Sequence, residues 1–412
     1  MKRLASLASA LLTTFVFVAA ANAQTPVAPI VSKDATTIVR VDLSQLDGPK
    51  LSQTAQKVAV AAIDYFVADA ERAKELKNAA PLVGMFAAQY AELYVSPLKN
   101  AGVSEFYVIV DKARDAKNPA YPYVAIPIDG LSKEQTDGIR DALKELNGQL
   151  GGALKYRFAR FGFMIVPIIP ETVEADDAKA YVKARFTKID KADDAVFAEG
   201  FAKLGTGAAV SSVGIATETD PAAEAQIDAT LEKLGADAPE GLADFVQKSL
   251  AYNEKFAELI RCGAWKLDLN ALEIVGLVET KSPEAAQKYL ALVDEVKKET
   301  TAFVEKTIDD QLATAEADNK PTQEDVDLLK SDLGAVVDAF LDAIKTDGAT
   351  LTWKLDEQFF VDAKPVFDKL LEDATAIQKK LTPPEDEEAE TEDAPVEEES
   401  LDGDLDLDLE TL

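Results

Sequence analysis

The stretch LIRCGAWKLDLNALEIVGLVE (259–279) decides the architecture. Two apolar runs flank a short polar turn, and within the first run the residues alternate in character. Successive side chains of an extended chain point to opposite faces, so Trp265, Leu267 and Leu269 share one side and Lys266, Asp268 and Asn270 the other. One face is buried and one is wet, which predicts an antiparallel hairpin. The tetrapeptide WKLD recurs at 353–356, where Trp353 and Leu355 oppose Lys354 and Asp356; the two copies hold both tryptophans of the chain. VRVDLS (39–44) obeys the same rule, with Val39, Val41 and Leu43 against Arg40, Asp42 and Ser44. The pattern is first of all structural. Its functional counterpart is an aromatic platform for a ligand, which makes Trp265 and Trp353 candidate contact residues.

Outward from this hairpin one order of elements is legible twice: strand, two helices, hairpin, helix, hairpin, helix. The first copy opens on TTIVRVDL (36–43), with helical stretches near 50–78 and 81–98. EFYVIVD (105–111) and YPYVAIPI (121–128) form its first hairpin. Ser132, with Gln135 three residues on, gives a capping box for the next helix. KYRFARFGFMIVPI (155–168) turns near Gly162 into two more strands, and a helix near 173–189 closes the copy. The second copy opens on GAAVSSVGIAT (207–217) and continues with helices over 221–235 and 240–256. The hairpin 259–279, a helix from Ser282-Pro283, an added helix over 322–346, ATLTWKLDEQFFVDA (349–363) and a last helix over 364–381 complete it.

The expected fold class is α+β: two pseudo-symmetric halves, each a mainly antiparallel sheet with helices on one face, plus a long helical hairpin (283–346) in the second half. Val326, Leu329, Leu333, Val336, Phe340 and Ile344 recur at spacings of three and four, a seam that one arm of the hairpin turns to the other. The first domain is expected over 36–190 and the second over 191–381.

The ends read differently. MKRLASLASALLTTFVFVAAANAQ opens with Lys2 and Arg3, continues with an apolar run and reaches the small-x-small site Ala21-Asn22-Ala23. This is the pattern of a signal peptide over 1–23, with export to the periplasm or the outside and a linker over 24–35. No later stretch is apolar enough to span a bilayer. The segment 382–412 holds fifteen acidic residues and no basic one, an expected disordered acidic tail. In it Leu405, Leu407 and Leu409 alternate with Asp404, Asp406 and Asp408, a pattern that suits docking to a partner as well as plain solubilisation.

Composition excludes whole chemistries. The chain has no histidine and a single cysteine, Cys262. Serine–histidine and cysteine–histidine catalysis, histidine-ligated zinc, thiolate clusters and intrachain disulfides all fall away. The net charge is −31, and cleavage removes Lys2 and Arg3, leaving −33. Nucleic acid and anionic lipid repel such a chain.

No cofactor is expected. GTGAAV (205–210) follows a helix and leads into a strand, the reverse of a dinucleotide loop. DGDLDLDLE (402–410) lacks the glycine and the twelfth-position ligand of a calcium loop, so only weak divalent-cation association is expected there. The acidic pairs Asp176-Asp177, Asp193-Asp194 and Asp309-Asp310 carry no legible catalytic spacing, and no catalytic residue is assigned. Arg157 and Arg160, set among aromatics in YRFARFGF, are candidates for holding an anionic ligand; their competing role is cation–π packing on the sheet.

TTIVRVDLSQL (36–46) and GAWKLDLNALEIVGLVETKSPEAAQKYLAL (263–292) give the chain a general resemblance to exported bacterial proteins of unknown function of a duplicated α+β type. The resemblance implies no activity. The preferred expectation is an exported, noncatalytic binding protein that engages a protein partner through the helical hairpin or the acidic tail. Two alternatives stand beside it: a carboxylate-based hydrolase with an interdomain site, and a structural component of the cell surface.

Overall fold

The computed structural model describes residues 29–381 apart from 68–69, 113–120, 151, 171, 188–194, 217–231, 233–240 and 314–320. The strands are β1 (Ala35–Asp42), β2 (Glu105–Asp111), β3 (Tyr123–Pro127), β4 (Phe158–Arg160), β5 (Phe163–Pro167), β6 (Val210–Gly214), β7 (Ile260–Asp268), β8 (Glu273–Thr280), β9 (Lys345–Asp347) and β10 (Thr350–Leu355). They form one ten-stranded sheet in the order β4-β5-β3-β2-β1-β6-β7-β8-β10-β9, every neighbouring pair antiparallel. The two halves meet where Val39 of β1 pairs with Ser212 of β6. Outward from that seam the order is β1-β2-β3-β5-β4 on one side and β6-β7-β8-β10-β9 on the other, the same path taken twice. The expected boundary at 190/191 lies outside the described residues.

The helices are α1 (Gly48–Phe66), α2 (Ala70–Tyr90), α3 (Ser96–Asn100), α4 (Lys133–Gln149), α5 (Ala175–Thr187), α6 (Ala195–Leu204), α7 (Leu242–Leu259), α8 (Pro283–Ala313), α9 (Gln323–Asp342) and α10 (Glu357–Leu381). The α+β class holds, with a large antiparallel sheet and abundant helix. The helices differ from expectation in covering both faces of the sheet. Tyr123 and Ala125 of β3, with Phe163 and Ile165 of β5, pack against Phe186 of α5 and Phe197 and Phe201 of α6. Ile126, Met164 and Val166, the alternate residues of the same strands, pack against Ile139, Leu143 and Leu146 of α4. YVAIP and FMIVP are continuous apolar runs, and a strand without a polar side must be covered twice.

Some boundaries also differ. α1 ends at Phe66 and α2 runs from Ala70 through Pro81 to Tyr90, so no helix boundary falls near 79–80. EQFFVDA (357–363) is helix, not strand continuation: Asp356 accepts from the Phe359 amide at 2.9 Å and starts α10, which carries Pro365 in its interior. The capping box at Ser132 and Gln135 is in place on α4, and Thr322 with Asp325 forms a second on α9. Ile30 and Val31, in the segment 24–35, are fully buried in the core.

The arms of the 283–346 hairpin do not stand alone. Phe245 of α7 stacks on Phe303 of α8 at 4.5 Å, and Phe340 of α9 meets Phe359 of α10 at 5.1 Å. The helices therefore form a row, α7-α8-α9-α10-α1-α2, each packed on the next. A cleft of about 30 Å³ between α8 and α9, lined by Thr300, Val304, Leu333 and Gly334, is far smaller than the roughly 300–1,000 Å³ of a small-molecule site.

The α9–α10 contact contains a carboxyl pair. Asp332 is buried and accepts from Lys369, and a hydrogen bond to it holds Asp373 above the usual carboxylate range, with Glu372 adding to the repulsion and Lys369 opposing it. A raised carboxyl favours the folded state when protonated. This contact therefore strengthens as pH falls from the raised value towards the ordinary one, and weakens as pH rises through the raised value. Asp373→Asn is expected to raise the melting temperature at pH 7 slightly, because an amide beside Asp332 carries no second charge. The gain should vanish near pH 4, about the ordinary aspartate value, and melting curves at the two pH values check both halves of the statement.

Candidate functional site

Helix α2 lies at the end of the helical row, and its residues are distributed in reverse of the usual order. Its inner face is made of small side chains. Ala80, Gly84 and Ala91 are buried, and Gly84 sits so close to α1 that a Cβ there would come within 2.8 Å of the Ser52 carbonyl oxygen. One turn on, Ala88 reaches Gly48, where an added Cβ would lie 3.7 Å from the Ala88 carbonyl oxygen. Small residues bring the two helices together; no large side chain fits between them.

The large apolar side chains of α2 consequently face out. Leu82, Val83, Met85, Phe86 and Tyr90, together with Leu93 just beyond, are between 43 and 65 % exposed. Leu82, Val83, Phe86 and Tyr90 lie at i, i+1, i+4 and i+8, on one side of the helix. Past Tyr90 the helix widens into a π turn over Ala91–Val95, and Tyr90 stacks on Tyr94 with ring centroids 5.3 Å apart. Isolated exposed apolar residues are ordinary, but a contiguous set of this size marks a contact surface. Exposed apolar surface of this kind is suited to association and offers no catalytic group. The chain matches no family model, no curated protein and no solved structure.

The residues singled out from the sequence lie elsewhere. Trp265 and Trp353 both pair with Gly276 of β8, so the two WKLD copies flank one glycine in a single cross-strand row on one face. Their lysines occupy the opposite face, where Lys354 bonds Glu273 at 2.7 Å and Asp356 at 3.0 Å. Arg160, at the end of β4, lies over the Phe161 ring at 4.9 Å, and Arg157 immediately precedes that strand. These four residues form no common cluster: the tryptophans belong to the second half of the sheet and the arginines to the outer edge of the first.

Leu405, Leu407 and Leu409 lie outside the described residues. Among the described residues no group of three acidic or thiol side chains is placed to hold a metal ion, and no helix is long and apolar enough to cross a membrane. Cys262 is buried, and burial pushes its thiol up to about 11.

The arginine that the sequence did not single out is Arg185 on α5. It pairs with buried Asp111, donates to the Tyr123 hydroxyl at 3.1 Å and stacks over the Tyr123 and Phe186 rings. Ser32 donates to the other oxygen of Asp111 at 3.2 Å, and the Tyr123 hydroxyl donates to the Ile30 carbonyl at 2.9 Å. These donors and acceptors are used within the fold, so this cluster pins α5 and the N-terminal segment to the sheet.

Proposed function

We propose that the chain is an exported, noncatalytic interaction protein, and that the outer face of α2 is its principal binding surface. The observation that carries this reading is the inverted helix: Gly84 and its alanines face inward while Leu82, Phe86 and Tyr90 face solvent. Burying such side chains contributes roughly 1.5–3 kcal/mol each when fully removed from water, and their own fold does not collect it. The helical hairpin offers less free surface than α2, because α7 and α10 occupy its flanks. Export rests on the signal-type pattern of residues 1–23, and the acidic tail 382–412 serves as an auxiliary contact.

The test uses residues 24–412 as bait in native envelope extract, beside the double variant Leu82→Glu/Phe86→Glu and a 24–381 truncation. Both substituted side chains are exposed, so circular dichroism should be unchanged. Partner capture is expected to fall at least tenfold in the double variant and less in the truncation. Equal capture by the wild type and the double variant removes α2 from the function.

A further inference from the structure

We infer that the partner seated on the α2 face is a second copy of this chain, in a twofold dimer with α2 against α2. The inference rests on the interaction reading above and deepens it. Three observations bear on the choice of occupant.

The first is charge. The chain carries −31, yet residues 48–100 hold six basic and five acidic residues, a net of +1, which leaves −32 for the rest. Within that hairpin the fourteen residues 78–91, NAAPLVGMFAAQYA, contain no charge at all. A cationic partner is drawn to the acidic surfaces and gains nothing from α2. Two copies of an acidic chain repel one another across most of their surface, and an uncharged face is where they can touch at least electrostatic cost.

The second is area. With roughly 150–250 Å² for each large side chain, the exposed fractions of Leu82, Val83, Met85, Phe86, Tyr90 and Leu93 amount to roughly 600 Å², most of the roughly 800 Å² per partner of a standard interface. The third is position. Among the described residues α2 ends the row α7-α8-α9-α10-α1-α2. A twofold axis beside Phe86 extends the row into its copy, and an isologous contact requires one self-complementary patch and nothing else.

Sedimentation equilibrium of residues 24–412 tests this. The wild type is expected at twice the monomer mass, and raising NaCl from 50 to 500 mM should lower Kd several-fold, because salt screens the repulsion between the acidic bodies. Phe86→Glu, which sets two carboxylates against each other at the axis, should raise Kd at least about 100-fold. Tyr90→Glu should do the same, while Leu328→Glu, on α9 and 40 % exposed, should leave Kd unchanged. Near-UV circular dichroism of each variant confirms its fold, and agreement of the two α2 variants guards against a defect peculiar to one.

A monomer at 100 µM protein in 500 mM NaCl overturns the proposal. So does a dimer indifferent to both α2 variants, or one that salt weakens. If the wild type is monomeric while Leu82→Glu/Phe86→Glu still abolishes capture from extract, self-association fails and the interaction reading stands. If that variant also captures normally, both fall.

Discussion

Gly276→Ala is expected to destabilise the fold by about 1–3 kcal/mol, and Gly276→Val by more. A Cβ at position 276 would lie 2.0 Å from Cε2 and 2.2 Å from Cζ2 of Trp353. No rotamer change of the new residue relieves that clash, since the Cβ is fixed by the backbone. The indole itself must move, and its strand β10 is flanked by β8 on one side and β9 on the other. Trp265 pairs with the same glycine from β7, so the row reads tryptophan, glycine, tryptophan across three strands. A large–small–large arrangement lets two indoles share space that three side chains could not. Urea midpoints check the size of the effect. In a Trp353→Leu background the cost of Gly276→Ala should fall to a small fraction of its wild-type value, and an undiminished cost would show that the indole is not its cause.

That row also shows what the sequence could and could not carry. Alternation in WKLD is local, and it places both tryptophans on the apolar face of their strands. Their common partner Gly276 is a matter of register between β7, β8 and β10, which no single strand encodes. EFYVIVD coincides with β2, and the capping box at Ser132 opens α4 where expected, because those signals are complete within a few residues. The seam between β1 and β6 joins residues about 170 apart in the chain, and either strand alone is an unremarkable apolar run. Helix α6 is legible only as the helix that GTGAAV follows, because AVFAEGFAKL is short and has few polar residues to mark its bounds.

The α2 surface is obscure for a different reason. Pattern reading assigns large apolar residues to the core, and in α2 the core side belongs to glycine and alanine. That inversion becomes visible only when Ser52 and Gly48 of α1 are seen against it. The uncharged run 78–91 is its trace in the sequence. Arg185 illustrates the same limit: its partners Asp111 and Tyr123 come from separate segments, whereas Arg157 and Arg160 stand out for aromatics that are merely adjacent.

Asp111→Ala is expected to cost about 3–5 kcal/mol, the range for stranding one member of a buried ion pair. The Arg185 side chain is 10 % exposed, so without Asp111 its charge has little water and, among the described residues, no paired carboxylate to offset it. The loss spreads along the chain of bonds. Ser32 loses its acceptor, and among the described residues the guanidinium keeps the Tyr123 hydroxyl as its hydrogen-bond partner, itself raised well above the ordinary tyrosine range by burial. The double variant Asp111→Leu/Arg185→Leu should cost much less than the sum of the single changes, because it removes both charges from the interior together. Chemical denaturation of the four proteins in that cycle measures the coupling directly. Additive costs would mean that Arg185 is held by its stacking on Tyr123 and Phe186 and not by the carboxylate. The expected coupling would identify Asp111 as the group that fixes α5 on the sheet, and with it the buried Ile30–Val31 segment at the N-terminal end of the fold.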